Sequence, residues 1–379
     1  MKKDIAKILD QTPGLKGREI AKKLLKDRKE INSFLSKNKD SFFRDSEFRW
    51  FNKDASEMRI HLEGATWMDG LSFDRAVAKS GSPLESDCNS ILFVVPEGCK
   101  IFLEAEARLL SLSNQCIAEG KTVTIDFNEC EDTLSFFDRN GFFDLLDKAV
   151  IVKPRRSLIS MAEIFQGNSD TVYEFAEINT TDPDEKIPQR LKNSFVRLVE
   201  ETLKKPGVGE RYSDPAFLVL SELFGNVGDH SDSPLLGYIA LQRYKGHGGR
   251  RPIDPHIQTI VSDSGKGIVG TLRPVLESRY ADLYDELDFN DPASGPLLVK
   301  TVFERGRISQ SPDEGRGLGL KRSGEIASKY NARISVREDR FELKLTFKDG
   351  KLDRYDYVLD LPKIHGTHIC FDFILAKSL

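Results

Sequence analysis

Residues 221–231 read Ser-Glu-Leu-Phe-Gly-Asn-Val-Gly-Asp-His-Ser and place a carboxylate, Glu222, four residues before a carboxamide, Asn226. Asp214-Pro215 predicts a helix start, with Asp214 as the N-cap and proline at the first helical position. Residues four apart lie one above the other on a helix, so Glu222 and Asn226 share a face. A carboxylate there can take a proton from water, and an amide oxygen beside it can complete the octahedral oxygen shell of Mg²⁺. The pattern indicates a nucleotide site.

Two glycine-rich stretches follow this helix. The first reads Asp-Ser-Gly-Lys-Gly-Ile at 263–268, and the second reads Glu-Gly-Arg-Gly-Leu-Gly-Leu at 314–320. Between them, the stretch 270–314 is long and charged, and we expect it to be irregular and to act as a lid over a nucleotide. A further motif, Gly-Thr-His-Ile-Cys-Phe at 366–371, predicts a final strand.

The order and spacing of these four motifs resemble the GHKL superfamily of ATPases (gyrase, the ninety-kilodalton heat-shock chaperones, histidine kinases and MutL) over residues 186–379. The resemblance implies an α/β sandwich with helices on one face of a mixed sheet, and Mg-ATP as the ligand. It assigns the general base to Glu222, the Mg²⁺ ligand to Asn226 and the acceptor of the adenine amino group to Asp263. It also implies nucleotide contacts at Asp229, Gly265, Gly267, Ile268, Gly315, Arg316, Gly317, Leu318, Gly319 and Thr367.

Each motif taken alone has another interpretation. The stretch from Gly265 to Gly270 also spells G-x-G-x-x-G, the turn of a Rossmann dinucleotide site. That interpretation needs a helix that opens at the glycines and an acidic residue about 20 positions further on, after a second strand. Glycines without the carboxylate and the carboxamide beside them also fit ordinary turns.

The composition is that of a globular protein, with 31% charged and 39% hydrophobic residues among 379. This length suits two or three domains. No apolar run approaches the roughly 18 residues of a membrane span, and the basic N-terminus lacks the apolar core of a signal peptide. The five cysteines are scattered, odd in number and without C-x-x-C spacing, which predicts reduced, mostly buried side chains, no metal site, and a cytoplasmic location.

Charge is unevenly distributed along the chain. Residues 1–53 contain 15 Lys/Arg and 8 Asp/Glu, a net charge of +7, whereas the whole chain carries −4. Three short amphipathic helices and a following aromatic hairpin, Phe42-Phe43 to Phe48–Phe51, resemble a winged helix-turn-helix. On the third helix Arg28, Lys29, Asn32 and Lys37 share an outer face, which favours nucleic acid as a partner. A protein-docking module with a solvated charged face remains the alternative.

Between these regions the pattern alternates apolar strands and helices. Strands at Ile91–Val95, Lys121–Phe127 and Ala149–Val152, with helices between them, predict a small, mainly parallel sheet. Residues 54–170 thus resemble the STAS-like regions that precede such ATPases in bacteria, and we expect a scaffold that contacts a protein partner. The fold class expected overall is multidomain α+β and α/β, with domains at 1–53, 54–170 and 186–379.

Three function classes fit the motifs. The first is a bacterial regulatory or defence switch that binds Mg-ATP, hydrolyses it to ADP and phosphate, and forms a homodimer. The second is a serine/threonine protein kinase of the anti-sigma type. The third is a nucleic-acid-binding regulator that holds ATP without hydrolysing it. An autophosphorylating histidine kinase is disfavoured because it needs a histidine ahead of the ATP domain, and no histidine lies between residues 62 and 229.

Overall fold

The computed structural model describes residues 1–12, 14–44, 48–52, 57–63, 67–155, 161–162, 173–178, 189–230, 233–244, 255–309 and 319–374. The chain packs as two compact units, which are Met1–Phe136 with Leu146–Ile159 and Phe137–Leu145 with Ser160–Leu379. Parallel and antiparallel sheets both occur, so the expected mixed α/β class is confirmed. The three finer domain boundaries stay predictions.

The first unit begins with helices around a small sheet. Its first elements are α1 (Lys2–Gln11), β1 (Leu15–Lys16), α2 (Gly17–Leu24), α3 (Arg28–Lys37), β2 (Phe42–Arg44) and β3 (Arg49–Asn52). The strands pair antiparallel in the order β1-β3-β2. Asp27 caps α3, since its Oδ1 accepts the N–H groups of Lys29 and Glu30 at 2.7 and 3.2 Å. The buried core consists of Ile5, Leu9, Ile20, Ala21, Ile31, Leu35, Phe42 and Trp50.

The same unit continues with a parallel sheet. The elements along this part of the chain are β4 (Glu57–His61), β5 (Trp67–Met68), α4 (Gly70–Ser80), β6 (Ser90–Val94), β7 (Lys100–Ile101), α5 (Leu103–Ala118), β8 (Thr122–Asp126), α6 (Glu131–Asn140), α7 (Phe142–Leu145) and β9 (Ile151–Lys153). The end of α6 and all of α7 belong to the second unit. The four-stranded order is β4-β6-β8-β9, parallel throughout. Parallel neighbours need crossover connections, and α4 and α5 supply two of them. A buried ion pair at 2.6 Å joins Asp74 of α4 to Arg108 of α5.

The second unit is built on a seven-stranded sheet. Its strands are β10 (Tyr173–Ile178), β11 (Gly237–Tyr244), β12 (His256–Ser262), β13 (Arg333–Asp339), β14 (Phe341–Lys348), β15 (Lys351–Val358) and β16 (Ile364–Ile374), in the order β10-β11-β12-β16-β13-β14-β15. Every neighbouring pair is antiparallel, so the expected mixed sheet is wrong. Some of these antiparallel pairs are neighbours in sequence that a tight hairpin turn joins. Asp349 and Gly350 join β14 to β15 with φ of 51° and 80°, the positive values that a two-residue hairpin turn requires.

Helices cover one face of this sheet. They are α8 (Gln189–Leu203), α9 (Gly209–His230), α10 (Gly267–Arg279), α11 (Ala281–Glu286), α12 (Ser294–Arg305) and α13 (Gly319–Lys329). Side chains at alternate positions of a strand share a face, and most of those of β12, β13 and β16 that point to the helices are apolar, Glu338 of β13 being an exception. They form one core with the helices through residues such as Leu198, Leu220, Ile257, Val299, Ala327, Ile334 and Phe371.

The start of α9 differs from the expected one. The helix begins at Gly209 and contains Pro215, so Asp214 is not its N-cap and instead pairs with Lys192 at 3.0 Å. Proline has no N–H, and within a helix it leaves the carbonyl four residues earlier without its usual donor. That carbonyl belongs to Arg211, and the Tyr330 hydroxyl donates to it at 3.0 Å. A tertiary hydrogen bond thus makes an internal proline tolerable.

The stretch expected to be an irregular lid is mostly helical in its described part, up to residue 309. Helices α10, α11 and α12 share a small apolar core of their own, formed by Leu272, Leu276, Leu283, Leu287, Leu298, Val302 and Ile308. The sequence shows charged residues there because three short helices expose much of their surface. In its described part this stretch is a set of helices packed on a shared core rather than a loop.

The cysteines and the helix lengths can be compared with the expectations of buried, reduced thiols and of no membrane-spanning segment. All five cysteines are buried, and none forms a disulfide with another. Burial raises the pKa of Cys99 to about 11 and that of Cys116 to about 12, so both stay thiols at neutral pH. None of the helices in the described ranges is long and apolar enough to cross a membrane.

Candidate functional site

Glu222 and Asn226 lie on α9 as the sequence predicts, one turn apart on its partly exposed face. The opposite face of the helix is buried in the main core of the second unit through Ala216, Val219, Leu220, Leu223 and Val227. Because that face is fixed by packing, the other face is held in one orientation. The side chain of Asp229, also on α9, lies outside what the structure describes.

The Glu222 carboxylate contacts the start of α13. Its Oε1 accepts a hydrogen bond from Arg322 Nη1 at 2.8 Å. Its Oε2 approaches Gly319 so closely that a Cβ added to that glycine would lie 2.7 Å away. The Glu222 side chain is 28% exposed, so water reaches it. The first motif and the end of the third thus meet in space.

Asp263 directly follows β12 and extends its pairing with β16. Its backbone N–H donates to the carbonyl of Thr367 at 3.0 Å, and its Oδ1 accepts the N–H of Gly265 at 2.7 Å. Burial raises the pKa of Asp263 to about 6, while hydrogen bonding of the carboxylate to the backbone of Gly265 and of Thr367 acts in the opposite direction. The carboxylate is therefore ionised at neutral pH but close to its titration range, as an acceptor in a ligand site often is.

A glycine makes the approach of these two strand ends sterically feasible. Gly366 has a φ of 83°, and a Cβ there would lie 2.0 Å from the Asp263 carbonyl oxygen. No side chain fits in that space, because real Cβ atoms do not come so close to an oxygen. The motif that holds Thr367 therefore needs its glycine for close contact with the second motif, and Thr367 itself is buried.

The first and second motifs also converge. Gly237, at the start of β11, would place a Cβ 2.7 Å from Val227 of α9 and 3.1 Å from the carbonyl oxygen of Ser262. Val227 follows Asn226, and Ser262 precedes Asp263. The end of α9 that carries Asn226 and the end of β12 that precedes Asp263 therefore both pack against the start of β11.

The second and third motifs share an apolar cluster. Ile268 and Leu320 both pack against the core formed by α10, α11 and α12. The described parts of the four motifs, distant in sequence, thus contact one another or shared neighbours in the second unit. Of the third motif the structure describes Gly319 and Leu320; Glu314, Gly315, Arg316, Gly317 and Leu318 lie outside the described residues.

Two residues in this region are not part of any motif used above. Arg322 contacts Glu222 and lies three positions after Gly319, so a search for cations one turn into the helix of the third motif would have found it. Glu338 of β13 accepts the N–H groups of Ile268 and Val269. No local pattern marks Glu338, because its partners lie about 70 residues away in sequence.

On α3 the cations lie where the periodicity predicts them. Arg28, Lys29 and Lys37 are exposed. Asn32 is partly buried, and its Oδ1 would lie 1.9 Å from a Cβ placed on Gly17 at the start of α2. The packing of α2 on α3 therefore turns the Asn32 amide toward protein, away from the exposed cations.

Comparisons of the chain with protein families, with curated proteins and with solved structures found no match.

Proposed function

We propose that the second unit binds Mg-ATP and hydrolyses it to ADP and phosphate, as the GHKL resemblance implies. The observation that carries the proposal is the convergence of four motifs that are far apart in sequence. Glu222 contacts Gly319, Val227 and Ser262 meet at Gly237, and Asp263 pairs with Thr367. Ordinary turn glycines give no reason for such a meeting.

The residues present fit an adenine nucleotide. The Asp263 carboxylate would accept from the adenine amino group, and the positive φ of Gly267 (74°) allows the turn that follows Asp263. The G-x-G-x-x-G alternative is disfavoured. A Rossmann site lies at the end of a parallel strand, whereas β12 pairs antiparallel on both sides.

Phosphates suit the start of α13. Backbone N–H groups at the start of a helix bind anions, and this helix follows the third glycine motif directly. Asn226, one turn after Glu222, would hold Mg²⁺ through its amide oxygen; the ion, when bound, neutralises phosphate charge. Glu222 would take the proton of the attacking water on a carboxylate oxygen.

One assay separates the three function classes. The full chain is incubated with ATP labelled in the γ-phosphate, with and without Mg²⁺. Release of free phosphate is the expected result. Label on a serine or threonine of a protein partner would identify the kinase instead, and binding without either product would identify the regulator. A protein that binds no nucleotide would overturn the proposal.

For the N-terminal region we infer a winged helix-turn-helix that binds nucleic acid. The order α1-β1-α2-α3-β2-β3 with its three-stranded sheet supports this inference, as do the exposed cations of α3. The β2-β3 hairpin adds Arg44, whose guanidinium lies 4.9 Å from the centre of the Phe48 ring. The parallel sheet that follows supports the STAS-like assignment, a scaffold for a protein partner.

A further inference from the structure

Glu338 is a buried carboxylic acid in the second unit that the four motifs do not include. Its side chain is 2% exposed, and it lies on β13 opposite Thr367 of β16. Its Oε2 accepts the N–H of Ile268 at 3.0 Å, and its Oε1 accepts the N–H of Val269 at 2.7 Å. Both oxygens therefore bond to the first turn of α10.

Burial of the Glu338 carboxyl costs free energy. Besides burial, the main influences on its charge are those two amides, which favour the charged form, and the carboxylates of Asp263 and Asp339, which disfavour it. The pKa of Glu338 is raised to about 8, mainly by burial and in smaller part by the negative charge of Asp263. A buried carboxyl opposes folding, and strongly perturbed acids cluster at functional sites.

Contacts on both sides fix the loop between Asp263 and Val269. On one side Asp263 accepts the Gly265 N–H. On the other side Glu338 lies directly against Gly267, whose φ is 74° and whose Cβ, if present, would lie 2.5 Å from Glu338 Oε1. The loop therefore adopts its shape through Glu338 as much as through its own glycines.

We propose that Glu338 is a positioning residue for recognition of the nucleotide base. By holding the first-turn amides of α10, it sets the path of the 263–269 loop and hence where the Asp263 carboxylate faces the base. This inference rests on the proposed function of the second unit. Adenine presents an amino donor where guanine presents a carbonyl acceptor. A fixed carboxylate accepts from the first and repels the second, so its position decides selectivity for the base.

The test replaces Glu338 by glutamine in the full chain and measures binding of ATP, GTP and inorganic tripolyphosphate by calorimetry. Glutamine keeps the size, but its NH2 group cannot accept a hydrogen bond, so either Ile268 or Val269 loses its acceptor. We expect ATP to bind about tenfold more weakly, the worth of one misplaced hydrogen bond to a charged group. GTP binding should be unchanged or stronger, and tripolyphosphate binding should stay within about twofold, since the phosphates lie at α13.

Glu342→Gln is the matched control, because Glu342 is also fully buried but lies on β14 opposite Arg337, so its side chain points to the other face of the sheet from Glu338. It should keep the parent ratio of ATP to GTP affinity. Should Glu338→Gln not fold, Glu338→Asp tests the same contact, because the shorter side chain does not reach both amides and should lower the ratio too. An unchanged ratio in a folded Glu338 variant overturns the assignment, as does equal weakening of all three ligands. A parent protein that binds no ATP overturns the proposed function itself, without reference to any variant.

Discussion

Arg322 Nη1 donates to Glu222 Oε1 at 2.8 Å across a separation of one hundred residues. This bond joins α13, which begins at the end of the third motif, to α9, which carries the proposed base. Gly319, one turn before Arg322, lies against the other carboxylate oxygen. Both oxygens of Glu222 thus face the same helix start. The availability of the base therefore depends on the helix that is expected to hold the phosphates.

We expect Arg322→Gln to raise the rate of hydrolysis. A carboxylate oxygen that accepts from a guanidinium is less available for a proton from water. The Arg322 side chain is 51% exposed, so solvent screens the pair and the expected rise in kcat is modest, up to about fivefold, with little change in KM. Arg322→Lys should retain most of the parent behaviour. A fall in kcat for Arg322→Gln would instead show that Arg322 assists the reaction.

Glu222→Gln should leave ATP binding intact and slow hydrolysis by about 10²–10⁴-fold, the usual contribution of a positioned general base. Asn226→Ala should show a different defect: it should lose the Mg²⁺-dependent part of ATP binding, because alanine offers no oxygen ligand. Calorimetry with and without Mg²⁺ and a phosphate-release assay give both quantities. Normal turnover by Glu222→Gln would place the base elsewhere.

Asp263→Asn should weaken ATP binding by about 1.5–3 kcal/mol, since an amide replaces an ionised acceptor of the same shape. The parent should also lose affinity for adenosine as pH falls through about 6, where the raised pKa of Asp263 places its protonation. Adenosine is the suitable probe because it carries no titrating phosphate. The Asp263→Asn variant should lack this pH dependence, and a parent affinity that is flat between about pH 8 and about pH 5 would contradict the assignment of the base acceptor.

The buried Glu338 should also make folding stability depend on pH. Its pKa is raised from 4.5 in the unfolded chain to about 8 in the folded protein. The native state then holds a proton that the unfolded chain releases, so this contribution is fully present below about 4.5 and is lost as pH rises to about 8. Denaturant titrations across this range should show stability falling with pH in the parent and falling less in Glu338→Gln. Equal slopes would mean that Glu338 does not keep its proton.

Local signals were sufficient to predict much of the candidate site. The spacing of Glu222 and Asn226 on a helix, and the place of Asp263 after a strand, depend on periodicity and turn chemistry that neighbouring residues carry. The alternation that predicted a parallel sheet in the central region is of the same kind. Each of these features is decided within about a dozen residues.

What the sequence did not predict depends on distant partners. Pro215 indicated a helix start, but Tyr330 supplies the hydrogen bond that lets α9 begin earlier. Glu338 and Arg322 gain their roles only when β13 and α13 reach the loop and helix that they contact. The outward direction of Asn32 was inferred from helical spacing alone, and the packing of α2 against α3 turns its amide inward. Contacts between residues far apart in the chain produce no periodic pattern in the sequence.

If α3 contacts nucleic acid, its exposed cations should carry the phosphate contacts. Arg28→Ala and Lys29→Ala should each weaken binding to unrelated duplexes alike and reduce the slope of log K against log salt by about 1, because each loses one phosphate contact. Gel-shift series of the full chain from low to physiological salt measure both effects.

Asn32→Ala serves as the comparison on the same helix. If its amide reads a base edge, the variant should change preference among sequences. If it only packs against Gly17, it should lower stability and leave preference unchanged. Absence of duplex binding by the parent even at low salt would make the N-terminal region a protein-docking module with a solvated charged face.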